Sequence, residues 1–174
     1  VGRIIHEKGI KTFVETAKLI KKKRKDISFI LVGPADFGNP SSISNETIRS
    51  WENEGIVSWQ NEVQDMEKVY SDSTIIVLPS IREGFPKVLL EAGLCSRPVI
   101  ASNVPGCRDV VLHGKTGFLF RYGDHKALSE YILKIIDNKT ELNNIGKYAR
   151  KHIYENFTDK IIIPKYFDII TNKS

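Results

Sequence analysis

Five short apolar runs, each separated from the next by a helical stretch, constrain this chain more than any other feature. The runs cover residues 27–32, 56–59, 74–78, 98–101 and 117–120. The first reads Ile-Ser-Phe-Ile-Leu-Val and stops at Gly33-Pro34. Near-continuous apolar runs of this length suit strands buried on both faces. Between them the apolar spacing turns helical, at about 9–25, 44–54, 64–71, 86–95 and 106–112. In the first stretch Ile10, Phe13, Val14, Ala17 and Ile20 fall three and four apart and mark one buried helix face. From about residue 124 helices dominate to the end, with apolar pairs at 127–128, 131–132 and 135–136. Strands alternating with helices imply βαβ units and a parallel sheet covered on both sides. The expected fold is a doubly wound, Rossmann-like α/β domain with a parallel sheet of about six strands. Gly2-Arg3 already reads as the exit of a strand, so the first strand has almost no residues of its own. The closing helices, about 154–174, are longer than a lone sheet needs, which reads as one domain of a two-domain protein. The loop at 34–44, rich in Gly, Pro, Asn and Ser, follows a strand's carboxyl end, where open α/β sheets bind their ligands.

At 174 residues with 41% hydrophobic side chains, the chain has the material for one sizeable core. Its longest apolar stretches are far short of the roughly 20 residues that span a bilayer. No charged segment followed by an apolar run opens the sequence as a secretory leader would. Cys95 and Cys107 form no CxxC pair, which fits a reducing, cytoplasmic compartment. Four scattered histidines without an HExxH pattern or a Cys/His cluster give no expectation of a metal. The net charge of +5 is concentrated in Lys21-Lys22-Lys23-Arg24-Lys25. Such a run at a helix's carboxyl end complements the helix dipole and reads first as a solvated terminus. Contact with an anionic membrane surface is the alternative. Nucleic-acid binding lacks the interleaved aromatic and basic residues it would need.

The chemistry-bearing stretch runs from Glu83 to Ala92, Glu-Gly-Phe-Pro-Lys-Val-Leu-Leu-Glu-Ala, just after a strand and the turn Pro79-Ser80. Pro86 is pre-set for the first position of a helix. Gly84 removes a side chain where a ligand would approach the backbone most closely. Free amides at that helix start make a ready phosphate site. Glu83 precedes the helix and Glu91 lies on its second turn, so the two carboxylates could reach different parts of one elongated ligand. Taken alone, two glutamates eight apart read first as Glu83 complementing the helix terminus and Glu91 facing solvent. Other signals fail: His113-Gly114-Lys115-Thr116 lacks the glycine a phosphate loop needs at position 109, where Asp109 stands. Cys95 reads as packing rather than as a nucleophile.

The full string resembles the E-x7-E signature of the retaining glycosyltransferases of family 4, which have the GT-B fold. Gly2-Arg3 with Glu7-Lys8-Gly9, residues 29–33, Val57 with Asp65-Met66 and residues 70–73, residues 98–106, and Gly114 with residues 117–119 continue in that family's order. The resemblance covers nearly the whole chain and implies that residues 1–174 are the nucleotide-sugar donor-binding half. The acceptor-binding N-terminal domain would be a separate unit, towards which the last helices pack. It further implies that Arg3 and Lys8 neutralise the donor diphosphate. Glu83 would be the catalytic candidate beside the donor sugar, and Glu91 would take the ribose hydroxyls. Gly84, Phe85, Lys87 and Val88 would meet sugar and phosphate through the backbone, and Val63 would lie against the base. Asn61 stands where the family has glycine; asparagine tolerates positive φ, so the turn is expected to survive.

By the same resemblance the reaction retains anomeric configuration and needs neither cofactor nor metal. The strings around residues 82–92, 33–43 and 103–111 look closest to bacterial enzymes that transfer N-acetylhexosamine, often N-acetylgalactosamine, from UDP. Their acceptors are undecaprenyl-diphosphate-linked sugars, in O-antigen, capsule or glycan synthesis. That acceptor implies a peripheral position at the inner face of the cytoplasmic membrane and no nucleic-acid partner. A non-catalytic nucleotide-sugar-binding module, or a transferase of the same family with another donor, is the alternative.

Overall fold

The computed structural model describes residues 1–36 and 38–164. Its strands are β1 (Ile30–Val32), β2 (Ser58–Gln60), β3 (Ile76–Leu78), β4 (Val99–Ser102) and β5 (Gly117–Phe120). Its helices are α1 (Ile10–Lys21), α2 (Asn45–Asn53), α3 (Met66–Asp72), α4 (Lys87–Leu94), α5 (Pro105–Val110), α6 (His125–Ile135) and α7 (Lys139–Asn156). Every pairing between strands is parallel, as the alternation requires.

The faces of β3, β4 and β5 show why both sides must be covered. Side chains alternate across a strand. Ile76, Leu78, Val99 and Ala101 point into one core with Leu89 and Ala92 of α4. Ile100, Phe118 and Phe120 point into the other, with Ile10, Val14, Ala17 and Ile20 of α1 and Leu128, Ile132 and Ile135 of α6. The helix α7 serves both, placing Leu142 and Ile145 in one core and Ile153 in the other. Close approach sets its position: a Cβ on Gly146 would lie 2.0 Å from the Ser96 carbonyl oxygen.

The expected parallel α/β arrangement is present, with five ladder strands rather than about six among the described residues. Among the described residues five strands form two sheets, β1-β2 and β3-β4-β5. The edges of β1 and β3 are not bonded to each other; the groove between them, lined by Leu31, Val32, Ile76 and Val77, is bordered by Val1, where the given sequence begins. Ile30, expected to be buried, is 42% exposed on this side. The opening residues run beside the exit of β1, Gly2 N–H donating to Val32 and Ile4 N–H to Pro34, which adds no ladder strand.

Four smaller expectations also change. Helix α1 stops at Lys21 rather than near 25. Pro86 caps α4 instead of opening it. Ser96, not Asn61, is the non-glycine residue with positive φ among the described residues, so the turn at Asn61 needs no left-handed backbone. The basic run is only partly solvated: Arg24 bridges Asp26 and Asp137 at 2.7 and 2.6 Å, and Lys21 donates to the Gly55 carbonyl. Lys22, Lys23 and Lys25 are exposed. The expected packing of 154–174 against another domain falls partly on residues 165–174, outside the described residues. No described helix is long and apolar enough to cross a membrane.

Candidate functional site

Three segments far apart in the chain are locked together by backbone contacts. The first is the opening loop, where a 3-10 turn, His6–Lys8, ends at Gly9 with φ 69°. A Cβ at Gly9 would sit 1.9 Å from the Pro79 carbonyl oxygen, so only glycine lets this turn press against the exit of β3. The second segment is the loop at 79–86, tied to the first by Ile81 N–H donating to the Glu7 carbonyl at 2.9 Å. The third is the start of α5, where Gly106 N–H donates to the Glu83 carbonyl at 3.2 Å. A Cβ on Gly106 would fall 2.5 Å from that same oxygen.

This scaffold brings Lys8 and Glu83 together. The Lys8 ammonium donates to Glu83 Oε1 at 2.6 Å, with the side chains 27% and 11% exposed. Around the pair lies a cleft of about 520 Å³, lined also by Arg3, Glu7, Arg82 and Gly84. Arg3 donates from Nη1 to Asp36 at 2.8 Å, and Asn39 donates to the same Asp36 oxygen. Glu7 accepts a 2.7 Å hydrogen bond from the Ser41 hydroxyl, which, with its own backbone, holds its carboxyl below the usual range. Its other oxygen, Oε2, is buried without a hydrogen-bond partner among the described residues. Behind the pair, burial and then the Glu83 charge push the Cys107 thiol up to about 12.

The helix starts are arranged unevenly. Ser44, Asp65, Asp124 and Asn138 each accept from an amide in the first turn of α2, α3, α6 and α7. The starts of α1, α4 and α5 carry no side-chain cap, and all three adjoin the segments that frame the cleft. At α4, Leu89 N–H is taken by the Pro86 carbonyl. The amides of Lys87 and Val88 have no acceptor within the helix, as in any first turn. An uncapped start leaves donors and the positive end of the dipole available to an anion.

The other residues singled out in the sequence lie outside the cleft lining. Glu91 is exposed on α4 and accepts from the buried Tyr70 hydroxyl at 2.6 Å. Phe85 is 56% exposed, with its ring 6.3 Å from that of Phe157. Lys87 is exposed, and Val88 packs half-buried against the second core. Val63 is half-buried on the wall of the groove between the sheets, a wall that Lys8 shares. The His113–Thr116 stretch is a structural turn, with Leu112 N–H bonded to Thr116 Oγ1 and Leu119 N–H to His113 Nδ1. Cys95 caps α4 against the second core, and burial raises its pKa. Among the described residues no three His, Cys, Asp or Glu side chains converge as a metal site would require.

Sequence reasoning missed Arg82, Tyr70, Gly106 and the role of Glu7 beside Lys8. Arg82 sits next to Glu83 in the motif and was visible there. Tyr70 and Gly106 act on residues 21 and 23 positions away, and nothing local announces them.

Comparison with known proteins identifies the family. The family described as "Glycosyl transferases group 1" matches residues 1–152. The capsular polysaccharide biosynthesis glycosyltransferase CapM of Staphylococcus aureus is 33% identical over 93% of this chain and 42% of its own length. The N,N'-diacetylbacillosaminyl-diphospho-undecaprenol alpha-1,3-N-acetylgalactosaminyltransferase of Campylobacter jejuni is 30% identical over 97% and 43%. Among solved structures, HepE of Anabaena in complex with UDP superposes with a TM-score of 0.85 at 22% identity, over 98% of this chain and 48% of that one. The chain therefore spans less than half the length of these relatives.

Proposed function

Because this chain belongs to the glycosyl transferases group 1 family, we propose that it is the half of such an enzyme that binds a nucleotide-diphosphate sugar, with UDP as the nucleotide. The observation that carries this reading is the Lys8–Glu83 pair, a cation and a carboxylate held 2.6 Å apart at a cleft of about 520 Å³. A nucleotide sugar asks for both: cations for its phosphates and carboxylates for its hydroxyls. Arg3 and Lys8 take the diphosphate, a planar guanidinium and a mobile ammonium each exchanging a carboxylate partner for phosphoryl oxygens. Backbone amides of Phe85, Lys87 and Val88, with the open approach at Gly84, add donors on the sugar and phosphate side. Glu83, released from Lys8, accepts from the donor sugar and is the catalytic candidate. Glu91 takes the ribose hydroxyls, and Val63 packs against the base. Charge on the leaving diphosphate is offset by Arg3, Lys8 and the positive end of α4, with no metal or cofactor assigned.

In the whole protein this donor half works with an N-terminal acceptor domain. The transfer retains anomeric configuration. The sugar is an N-acetylhexosamine, N-acetylgalactosamine foremost, passed to an undecaprenyl-diphosphate-linked sugar in bacterial surface polysaccharide or glycan synthesis. The names of the Campylobacter and Staphylococcus relatives support that choice. Such an acceptor puts the enzyme peripherally at the inner face of the cytoplasmic membrane.

The test separates the two glutamates in the whole protein. Glu91→Ala should weaken UDP and UDP-sugars alike, by about 1.5–3 kcal/mol for a lost charged partner. Glu83→Ala should leave UDP affinity nearly intact and lower single-turnover transfer from a panel of UDP-sugars. Equal losses of bare UDP in both variants would overturn this division of labour. No effect of either on binding or transfer would remove both carboxylates from the site.

A further inference from the structure

The hydroxyl of Tyr70 donates to Glu91 Oε2 at 2.6 Å, from a side chain only 2% exposed. The ring is held in the second core beside Leu89, Ala92 and Ile153. Tyr70 lies on α3 and Glu91 on α4, so the contact spans two helices. Burial first, and then the hydrogen bond to Glu91, raise the Tyr70 pKa, so the phenol keeps its proton and stays a donor. Glu91 itself is exposed on the surface of α4. An exposed glutamate ordinarily samples several rotamers, and fixing one on binding carries an entropy cost. Here one carboxylate oxygen is anchored to a rigid, buried donor.

We propose that Tyr70 is a positioning residue: its hydroxyl holds the Glu91 carboxylate in the orientation that receives the vicinal ribose hydroxyls of the donor nucleotide. This rests on the ribose role given to Glu91 above. The opposite assignment is that Glu91 merely satisfies a buried phenol, which would otherwise lack a partner. Under that assignment the pair contributes to stability and nothing to recognition. The two differ in what the hydroxyl does for a ligand with and without ribose hydroxyls.

The experiment compares UDP with 2',3'-dideoxyuridine diphosphate by calorimetry on the whole protein, in wild type, Tyr70→Phe and Glu91→Ala. Wild type should prefer UDP, and Glu91→Ala should abolish the preference. Tyr70→Phe should cut it about three- to tenfold, the scale of ordering one side chain at an interface, with dideoxy-UDP affinity unchanged. A Tyr70→Phe protein that melts earlier but keeps the full preference overturns the positioning role and leaves the ribose role of Glu91 standing. A wild type that binds both ligands equally overturns the ribose role and this inference with it. If Tyr70→Phe does not fold, Tyr70→Met, which fills the space without a donor, is read by the same ratio.

Discussion

Lys8 reaches across 75 positions of sequence to Glu83, and among the described residues neither side chain forms another hydrogen bond or ion pair. Partly buried ions of opposite sign are costly to separate, because the one left behind has lost water and gained nothing. Lys8→Met should therefore lower stability by about 1.5–3 kcal/mol, the range for a hydrogen bond to a charged group. It should also weaken UDP, since the same ammonium is assigned to the diphosphate. Denaturant unfolding and calorimetry on one sample check both. Gly9 makes a sharper demand. With φ at 69° and a Cβ position 1.9 Å from the Pro79 oxygen, Gly9→Ala meets backbone strain and a clash together. A loss of at least about 2 kcal/mol is expected, read as a lower denaturant midpoint. Both residues were legible in the sequence as part of the opening motif. Their partners were not, because the motif records residue types along the chain and says nothing of what faces them.

At the scale of elements, α4 follows the loop at 79–86 and packs against α7. Their approach depends on Gly146, whose missing side chain admits the Ser96 carbonyl. Propensity alone favours Gly146→Ala by about 1 kcal/mol in a helix interior. A Cβ 2.0 Å from a backbone oxygen reverses that sign, and the variant should melt several degrees lower. Gly106→Ala acts on the site rather than on the core. Its Cβ would displace the Glu83 carbonyl, so under the function proposed above UDP-sugar turnover of the whole protein should fall by a larger factor than the small drop in melting temperature would explain. Helix positions were readable to within a few residues, since apolar spacing of three and four survives any tertiary context. Where each helix stops was less so: α1 ends at Lys21, and just beyond it the Arg24 side chain bridges Asp26 and Asp137.

Across the whole molecule that same Arg24 fastens the carboxyl end of α1 to the end of α6. Hydrogen bonds from its guanidinium hold the Asp26 and Asp137 carboxyls below their ordinary range. A depressed carboxylate stabilises the fold above its unfolded pKa, near 3.9, and the contribution is lost as pH falls through the lower folded value. Asp137→Asn should thus unfold more easily than wild type at pH 7, with the gap closing below about pH 4. Thermal melts across that range decide it; a gap that stays constant with pH would dismiss the clamp. What the sequence determined by itself was the α/β alternation and the parallel pairing it requires. Those follow from apolar periodicity and from local strings, which short-range physics imposes wherever the chain goes. Tertiary structure alone decided that the Gly9 turn presses against the exit of β3. It also decided that Lys8 meets Glu83, and that Tyr70 meets Glu91. Such contacts depend on how whole layers pack, where a fraction of an ångström at Gly9, Gly106 or Gly146 determines which groups can touch.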